Sequence, residues 1–193
     1  MAERILYLVR HGQHDLANLD GDPLGGKLTP RGVEQAHLLT RHLLAIPLRV
    51  IHASSLRRTL ETAQIVAKAF PDVPFHRTRI LWECIPGLPE KPSAQFPPFS
   101  PQRLAEGKER AERVFQTYFK PARIDDKHEL LVCHGNLIRY LVCRALGTPT
   151  AHWNRMEIAN CSLSIVRVKS DGRCSLLSFN EQGHLPAPLR SFL

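Results

Sequence analysis

The chain has no C-x-x-C pair, no apolar run long enough to cross a bilayer, no block of five or six like charges and no internal repeat. Its five cysteines (Cys84, Cys133, Cys143, Cys161 and Cys174) are odd in number and scattered, several of them in apolar segments. They read as reduced, buried thiols rather than as a disulfide framework. A spanning helix needs roughly 20 apolar residues in succession, and none is present. Met1-Ala2-Glu3-Arg4 leads straight into an apolar strand, without the basic start, longer apolar stretch and small-residue cleavage site of a signal peptide. These absences predict a cytoplasmic protein with no membrane partner.

The formal net charge of +8 admits anionic partners. The basic residues are spread along the chain, and Glu61, Glu106, Glu109 and Glu112 interleave with them as on solvated faces. No zinc finger, aromatic RNA-binding signature or basic tail accompanies the charge, so nucleic acid is not expected. Phosphorylated substrates are among the anionic partners that the charge admits. At 193 residues, 43% hydrophobic and 23% charged, the composition is that of one globular domain over 1–193, and a homodimer is compatible with it.

Apolar and turn signals then give the order of elements. Residues 4–9 read as a fully buried strand. Thr29 can cap a helix over about 30–45, with Pro30 at its first position and Val33, Ala36, Leu39, Leu43 and Leu44 near one face. A short strand at 50–53 precedes a helix capped by Ser54 or Ser55 and running to about Phe70. Phe75 to Leu81 reads as a strand. Pro86, Pro89, Pro92, Pro97, Pro98 and Pro101 then mark an irregular loop, either a surface linker or a cover over a pocket. A helix over about 102–119, a strand at 129–133, a helix from near Asn136 to Ala145 and a hairpin over 162–179 complete the chain. The alternation predicts a single-domain α/β fold with a largely parallel sheet.

In such sheets ligands collect at the carboxyl ends of the strands. Arg10-His11-Gly12 follows the first strand, Arg57 or Arg58 the second, Glu83 the third and His134-Gly135-Asn136 the fourth. Arginine forks and donor histidines suit a tetrahedral dianion, a histidine nitrogen can attack phosphorus, and a carboxylic acid can protonate the departing oxygen. His11, His14 and Asp15 form H-x-x-H-D, but no further ligands stand at a metal-site spacing, so no metal is expected. His14 and Asp15 read as loop residues at the pocket mouth. The other histidines, His42 and His184 among them, read as surface or internally satisfied residues, and Cys133 as a buried thiol rather than a nucleophile.

Five segments carry a family resemblance. Leu8-Val9-Arg10-His11-Gly12-Gln13 resembles the R-H-G signature of the histidine phosphatase superfamily, with its phosphoglycerate mutase-like fold. Leu28-Thr29-Pro30-Arg31-Gly32-Val33-Glu34-Gln35-Ala36 is similar to that family's L-T-x-x-G-x-x-Q-A segment, and Ser54 to Ala63 to its S-S-x-x-R-A-x-x-T-A segment. Leu81-Trp82-Glu83 and Cys133-His134-Gly135 stand where the family has its acid and its second histidine. The resemblance implies a three-layer α/β/α fold and a phosphohistidine intermediate on His11, with Glu83 as acid and then base and no cofactor. It also selects Arg58 over Arg57, and makes Arg10, Arg58 and His134 a phosphoryl clamp aided by backbone N–H groups near Gly135 and Asn136.

Cys133 to Leu146 further resembles the superfamily's mitochondrial Ser/Thr protein phosphatases, which implies phosphoserine or phosphothreonine in proteins as substrate. Small metabolites, phosphohistidine proteins and a non-catalytic phospho-binding role are the alternatives on the same scaffold. Two departures from the mutase branch favour phosphatase chemistry. Ala17 stands six places past His11, where mutases carry asparagine, with Asn18 one later, and the loop after Glu83 is short.

Overall fold

Two central strands set the position of everything else. In the computed structural model, which describes residues 2–16, 25–88 and 100–192, β1 (Arg4–Arg10) and β4 (Lys127–Cys133) pair in parallel with Arg10 opposite Cys133. They lie inside a six-stranded sheet ordered β3-β2-β4-β1-β5-β6, where β2 is Val50–Ser54, β3 Phe75–Thr78, β5 Leu163–Val168 and β6 Cys174–Glu181. The first four are parallel, while β5 runs antiparallel to β1 and β6 to β5. The expected α/β class with a mostly parallel sheet is thus the one observed.

Side chains alternate across a strand, so each central strand feeds two cores. Leu6, Leu8, Leu131 and Cys133 face one layer, with Ala111 and Val114 of α3 (Pro101–Tyr118) and Leu137, Ile138 and Leu141 of α4 (Gly135–Leu146). Tyr7, Val9, Leu130 and Val132 face the other, with Ala36 and Leu39 of α1 (Pro30–Leu43) and Ala63 and Val66 of α2 (Arg57–Ala67). Burial on both faces is why β1 and β4 read as unbroken apolar runs.

The helix starts differ in how they are held. Thr29 caps α1 as expected, its Oγ1 accepting from Gly32 N at 3.1 Å, and it also donates to Gln13 Oε1 at 2.9 Å. That second bond ties the start of α1 to the loop after His11. The expected serine cap of α2 is replaced by Leu56, which offers no side-chain cap. Ser54 is drawn instead to His134, 2.9 Å away.

Other boundaries move too. β3 stops at Thr78 rather than Leu81, because a turn closed by Trp82 N to Arg79 O follows it. α2 stops at Ala67. Val33 and Leu44 are exposed rather than part of the buried face; Leu44 already lies beyond the last helical residue of α1. Ala17, Asn18, Pro89, Pro92, Pro97 and Pro98 lie outside the described residues.

α3 packs against the segment that carries Glu83 at Gly107. A Cβ there would lie 2.1 Å from the backbone oxygen of Ile85. Alanine is the better helix former by up to ~1 kcal/mol, but overpacking against backbone costs ~1–3 kcal/mol. Gly107→Ala is therefore expected to lower stability in denaturant titrations despite its helix propensity; an unchanged or raised midpoint would contradict this packing.

Candidate active site

The parallel register places His11 and His134 side by side, each one residue past its strand. His11 N donates to Cys133 O at 3.1 Å, and the two rings lie 5.2 Å apart. Both side chains are buried. His11 Nδ1 faces its neighbour's carbonyl, Gly12 O, at 2.8 Å. A carbonyl only accepts, so Nδ1 carries the proton and Nε2 carries a lone pair. Arg58 Nε donates to that Nε2 at 3.1 Å.

Arg58 holds the second histidine as well. Its Nη2 lies 3.2 Å from His134 Nδ1, so in this arrangement Nδ1 accepts. His134 Nε2 then donates toward Ser54 Oγ at 2.9 Å and Thr59 Oγ1 at 3.2 Å. Burial pushes both imidazoles well below the usual histidine range, and the charges of Arg58 and Arg10 push the same way. Each ring is therefore neutral near pH 7.

Arg10 is half-committed. One of its terminal nitrogens, Nη1, donates to the carbonyls of Ile158 at 2.7 Å and Phe192 at 2.8 Å. Its Nε is buried and has no hydrogen-bond partner among the described residues. The guanidinium lies against Gly135, where a Cβ would be 3.5 Å from Nε. Burial lowers the Arg10 pKa to about 10, with Glu83 opposing the shift; the group stays cationic at neutral pH. An unpaired buried donor on a cation is a demand for an anion.

Glu83 sits past the turn that ends β3, in a cavity of about 420 Å³ lined also by Arg58, Cys84, Arg103 and Arg110. Its Oε1 accepts from Cys84 N at 3.1 Å, and its backbone oxygen accepts from Arg110. Burial raises the carboxyl pKa above the usual range, while the Cys84 and Asn136 N–H groups and the cations Arg58 and Arg10 pull it back. Asn136 lies in the first turn of α4, whose capping residue, His134, makes no side-chain capping bond. That helix end offers N–H groups and positive dipole to an anion.

The structure thus gathers Arg10, His11, Arg58, Glu83, His134, Gly135 and Asn136. Arg57 points away and pairs with Glu61 at 3.0 Å. His14 is closer to the chemistry than a loop residue at the pocket mouth would be: its ring meets His11 edge-on at 4.9 Å, and burial with Arg58 and Arg10 lowers its pKa to about 4. Cys133 is fully buried and burial pushes its thiol up, as expected of a core cysteine.

Three further residues position the backbone around His11. Thr62 Oγ1 accepts from Gly12 N at 3.0 Å, Asn160 Nδ2 donates to His11 O at 3.1 Å, and Gln35 Oε1 accepts from Gln13 N at 2.8 Å. Gln35 and Asn160 also bind the tail: Gln35 Nε2 donates to Leu189 O at 2.6 Å, and Ser191 Oγ donates to Asn160 Oδ1 at 2.9 Å. Gln35 is the Q of the L-T-x-x-G-x-x-Q-A segment and Thr62 the T of the S-S-x-x-R-A-x-x-T-A segment, whereas Asn160 lies in none of the five segments.

Comparison with known proteins gives the same placement. The chain is similar to the mitochondrial serine/threonine-protein phosphatase Pgam5 of Caenorhabditis elegans, 36% identical over 99% of this chain and 67% of that protein. Human PGAM5 is 33% identical over 96% of this chain and 65% of its own length. The chain spans about two thirds of the length of these curated relatives. Phosphoglycerate mutase from Plasmodium falciparum superposes with a TM-score of 0.65 at 28% identity, over 97% of this chain and 96% of that one. Bacillus stearothermophilus YhfR shares the fold with a TM-score of 0.77 at 24% identity, over 95% and 100% of the two chains.

The relatives' names place them in mitochondria, which overturns the expected cytoplasmic location. That expectation rested on scattered cysteines and on the lack of a spanning run or signal segment, none of which identifies a compartment. The profile of the histidine phosphatase superfamily (branch 1) matches residues 6–182 and so takes in each of the strand-end residues above. On that match the chain belongs to the histidine phosphatase superfamily.

Proposed function

We propose that this protein hydrolyses phosphomonoesters through a phosphohistidine on His11, with phosphoserine and phosphothreonine in proteins as substrates. The observation that carries the reading is the His11 ring: neutral, Nδ1–H held by Gly12 O, and Nε2 directed at the Arg58 guanidinium. In the first step the Nε2 lone pair attacks phosphorus and the ester P–O bond breaks. Glu83, whose protonated form burial favours, gives its proton to the leaving alkoxide. The Nδ1–H···O bond then supports the cationic phosphohistidine. In the second step the Glu83 carboxylate takes a proton from water, whose oxygen attacks phosphorus. The P–Nε2 bond breaks with its electron pair returning to Nε2, inorganic phosphate leaves and His11 is neutral again.

Charge on the three equatorial oxygens is met by Arg58, by the unpaired Nε of Arg10 and by the N-terminus of α4. His134 needs one adjustment. Its Nδ1 accepts from Arg58 as drawn, and must donate to reach a phosphoryl oxygen. Ser54 and Thr59 allow this, because hydroxyls can donate to Nε2 as readily as they accept from it. When Arg58 turns to the phosphate, the proton can reside on Nδ1. The substrate class is supported by the 33–36% identity to phosphatases named for serine and threonine.

A rapid alkaline quench is expected to trap a phosphoenzyme that is stable to base and lost in acid. His11→Ala should abolish it and cut kcat by about 10³-fold or more; unchanged turnover in that variant would sink the mechanism. The pH profile follows from the two shifts. His11 is depressed well below 6.5, so the nucleophile stays unprotonated down to mildly acid pH. Glu83 is raised, so kcat/KM for alkyl esters falls as pH rises through its folded pKa. Glu83→Gln should lose that alkaline limb and cost ~10²–10⁴-fold on serine phosphate, with much less effect on phosphorylation by an aryl phosphate whose leaving group needs no proton. Equal losses on both substrates would remove Glu83 from the acid role. In a substrate panel, phosphopeptides should exceed sugar phosphates in kcat/KM, and the reverse order would reassign the substrate to small esters.

A further inference from the structure

Two turns beyond Gln35 along α1, a second group of side chains converges. His42 in the last turn of α1 meets Glu181 at the end of β6 and His184 in the turn that follows. Among the described residues these three alone offer converging His, Cys, Asp or Glu ligand atoms, all within 4.8 Å of one another. Both imidazoles address one oxygen. His42 Nε2 is 3.7 Å and His184 Nδ1 3.5 Å from Glu181 Oε2. The other carboxylate oxygen is occupied by the Gly183 N–H. The two rings stack with centroids 5.2 Å apart.

The arrangement lacks a positive centre. His184 Nε2 faces the carbonyl of Cys161 at 3.0 Å, so Nε2 carries the ring proton and Nδ1 of the neutral ring bears a lone pair. The His184 side chain is only 3% exposed. Its Nδ1 and Glu181 Oε2 are both buried without a hydrogen-bond partner. Two acceptors facing each other repel, and something electropositive must sit between them. A cation satisfies His42 as well.

We propose that His42 Nε2, Glu181 Oε2 and His184 Nδ1 bind one divalent transition-metal ion of the zinc class, with water as the remaining ligand. Tetrahedral zinc with bonds of about 2.0–2.2 Å puts its ligand atoms roughly 3.4 Å apart, close to the two spacings observed here. The nitrogen of His184 remote from the ion is held by a backbone carbonyl, the usual support for a metal-bound imidazole. Two imidazoles and a carboxylate favour zinc, copper or nickel over magnesium or calcium. The His42 side chain is 44% exposed, which leaves a solvent side for the water.

Such an ion joins α1 to the 181–184 turn and, through His184, to the Cys161 carbonyl. Cys161 N in turn donates to Arg10 O at 3.0 Å, directly behind His11. The ion is a clamp on the scaffold of the active site and takes no part in the reaction.

The test uses the purified chain, stripped with chelator and titrated with Zn²⁺ or Co²⁺. We expect about one equivalent bound, a visible Co²⁺ band of tetrahedral type, and a Tm raised by roughly 5 °C at saturating Zn²⁺, reversed by chelator. His42→Ala, on a partly exposed helix face, should fold and lose both the equivalent and the Tm shift, as should Glu181→Gln. His37→Ala, an exposed control on the same helix, should keep them. Absence of a bound equivalent, or its retention in both His42→Ala and Glu181→Gln, overturns the site. None of these readouts depends on phosphatase activity.

Discussion

Arg58 touches the open nitrogens of both His11 and His134, and the protonation of the whole site depends on that contact. A guanidinium cannot accept, so each nitrogen facing it must bear a lone pair. The outer nitrogens are then fixed as donors, to Gly12 O for His11 and to Ser54 and Thr59 for His134. One cation thereby assigns two tautomers. It can do so only because β1 and β4 lie side by side in register and α2 starts one strand away.

This explains which parts were legible in the sequence. Arg10-His11 and His134 stand out because β1 and β4 are buried on both faces, so the first polar residues after them mark the strand ends. Thr29-Pro30 is legible because a cap and an N1 proline act locally. Glu83 was placed at the end of a strand that in fact stops at Thr78; an intervening turn, closed by Trp82 N to Arg79 O, carries it to the site. Ser54 illustrates the opposite failure. Its local signal is a helix cap, and a histidine 80 residues away claims the hydroxyl instead. Asn160 is a short polar residue whose meaning comes only from what the fold lays beside it. The pairing of His42 with His184 was invisible for the same reason.

The tail supplies a further constraint. Arg10 has five N–H donors, and its Nη1 is spent on the carbonyls of Ile158 and Phe192. Gln35 and Asn160 hold Leu189 and Ser191 in place. The last described residues therefore orient a guanidinium whose Nε lies buried and unpaired beside Gly135. A side chain fixed from one edge and open at the other is suited to receiving an oxyanion without rearrangement.

The same electrostatics set opposite demands on stability. His11 and His134 have folded pKa values depressed well below 6.5. Their neutral burial costs nothing in proton binding above the unfolded pKa. Below it the unfolded chain takes up protons that the folded chain refuses, so stability falls as pH drops. Glu83 has the reverse sign. Its folded pKa is raised, and its relative contribution is fully present below the unfolded value of 4.5 and lost as pH climbs through the folded one. Above the folded pKa of Glu83 the imidazoles are neutral at no cost, whereas the ionised carboxylate is held at one. That cost falls on the group proposed to part with a proton, where the pull of Arg58 and Arg10 on the carboxylate limits it. The buried site thus holds a neutral nucleophile and a reluctant acid at the same pH, a combination that neither histidine nor glutamate has in water.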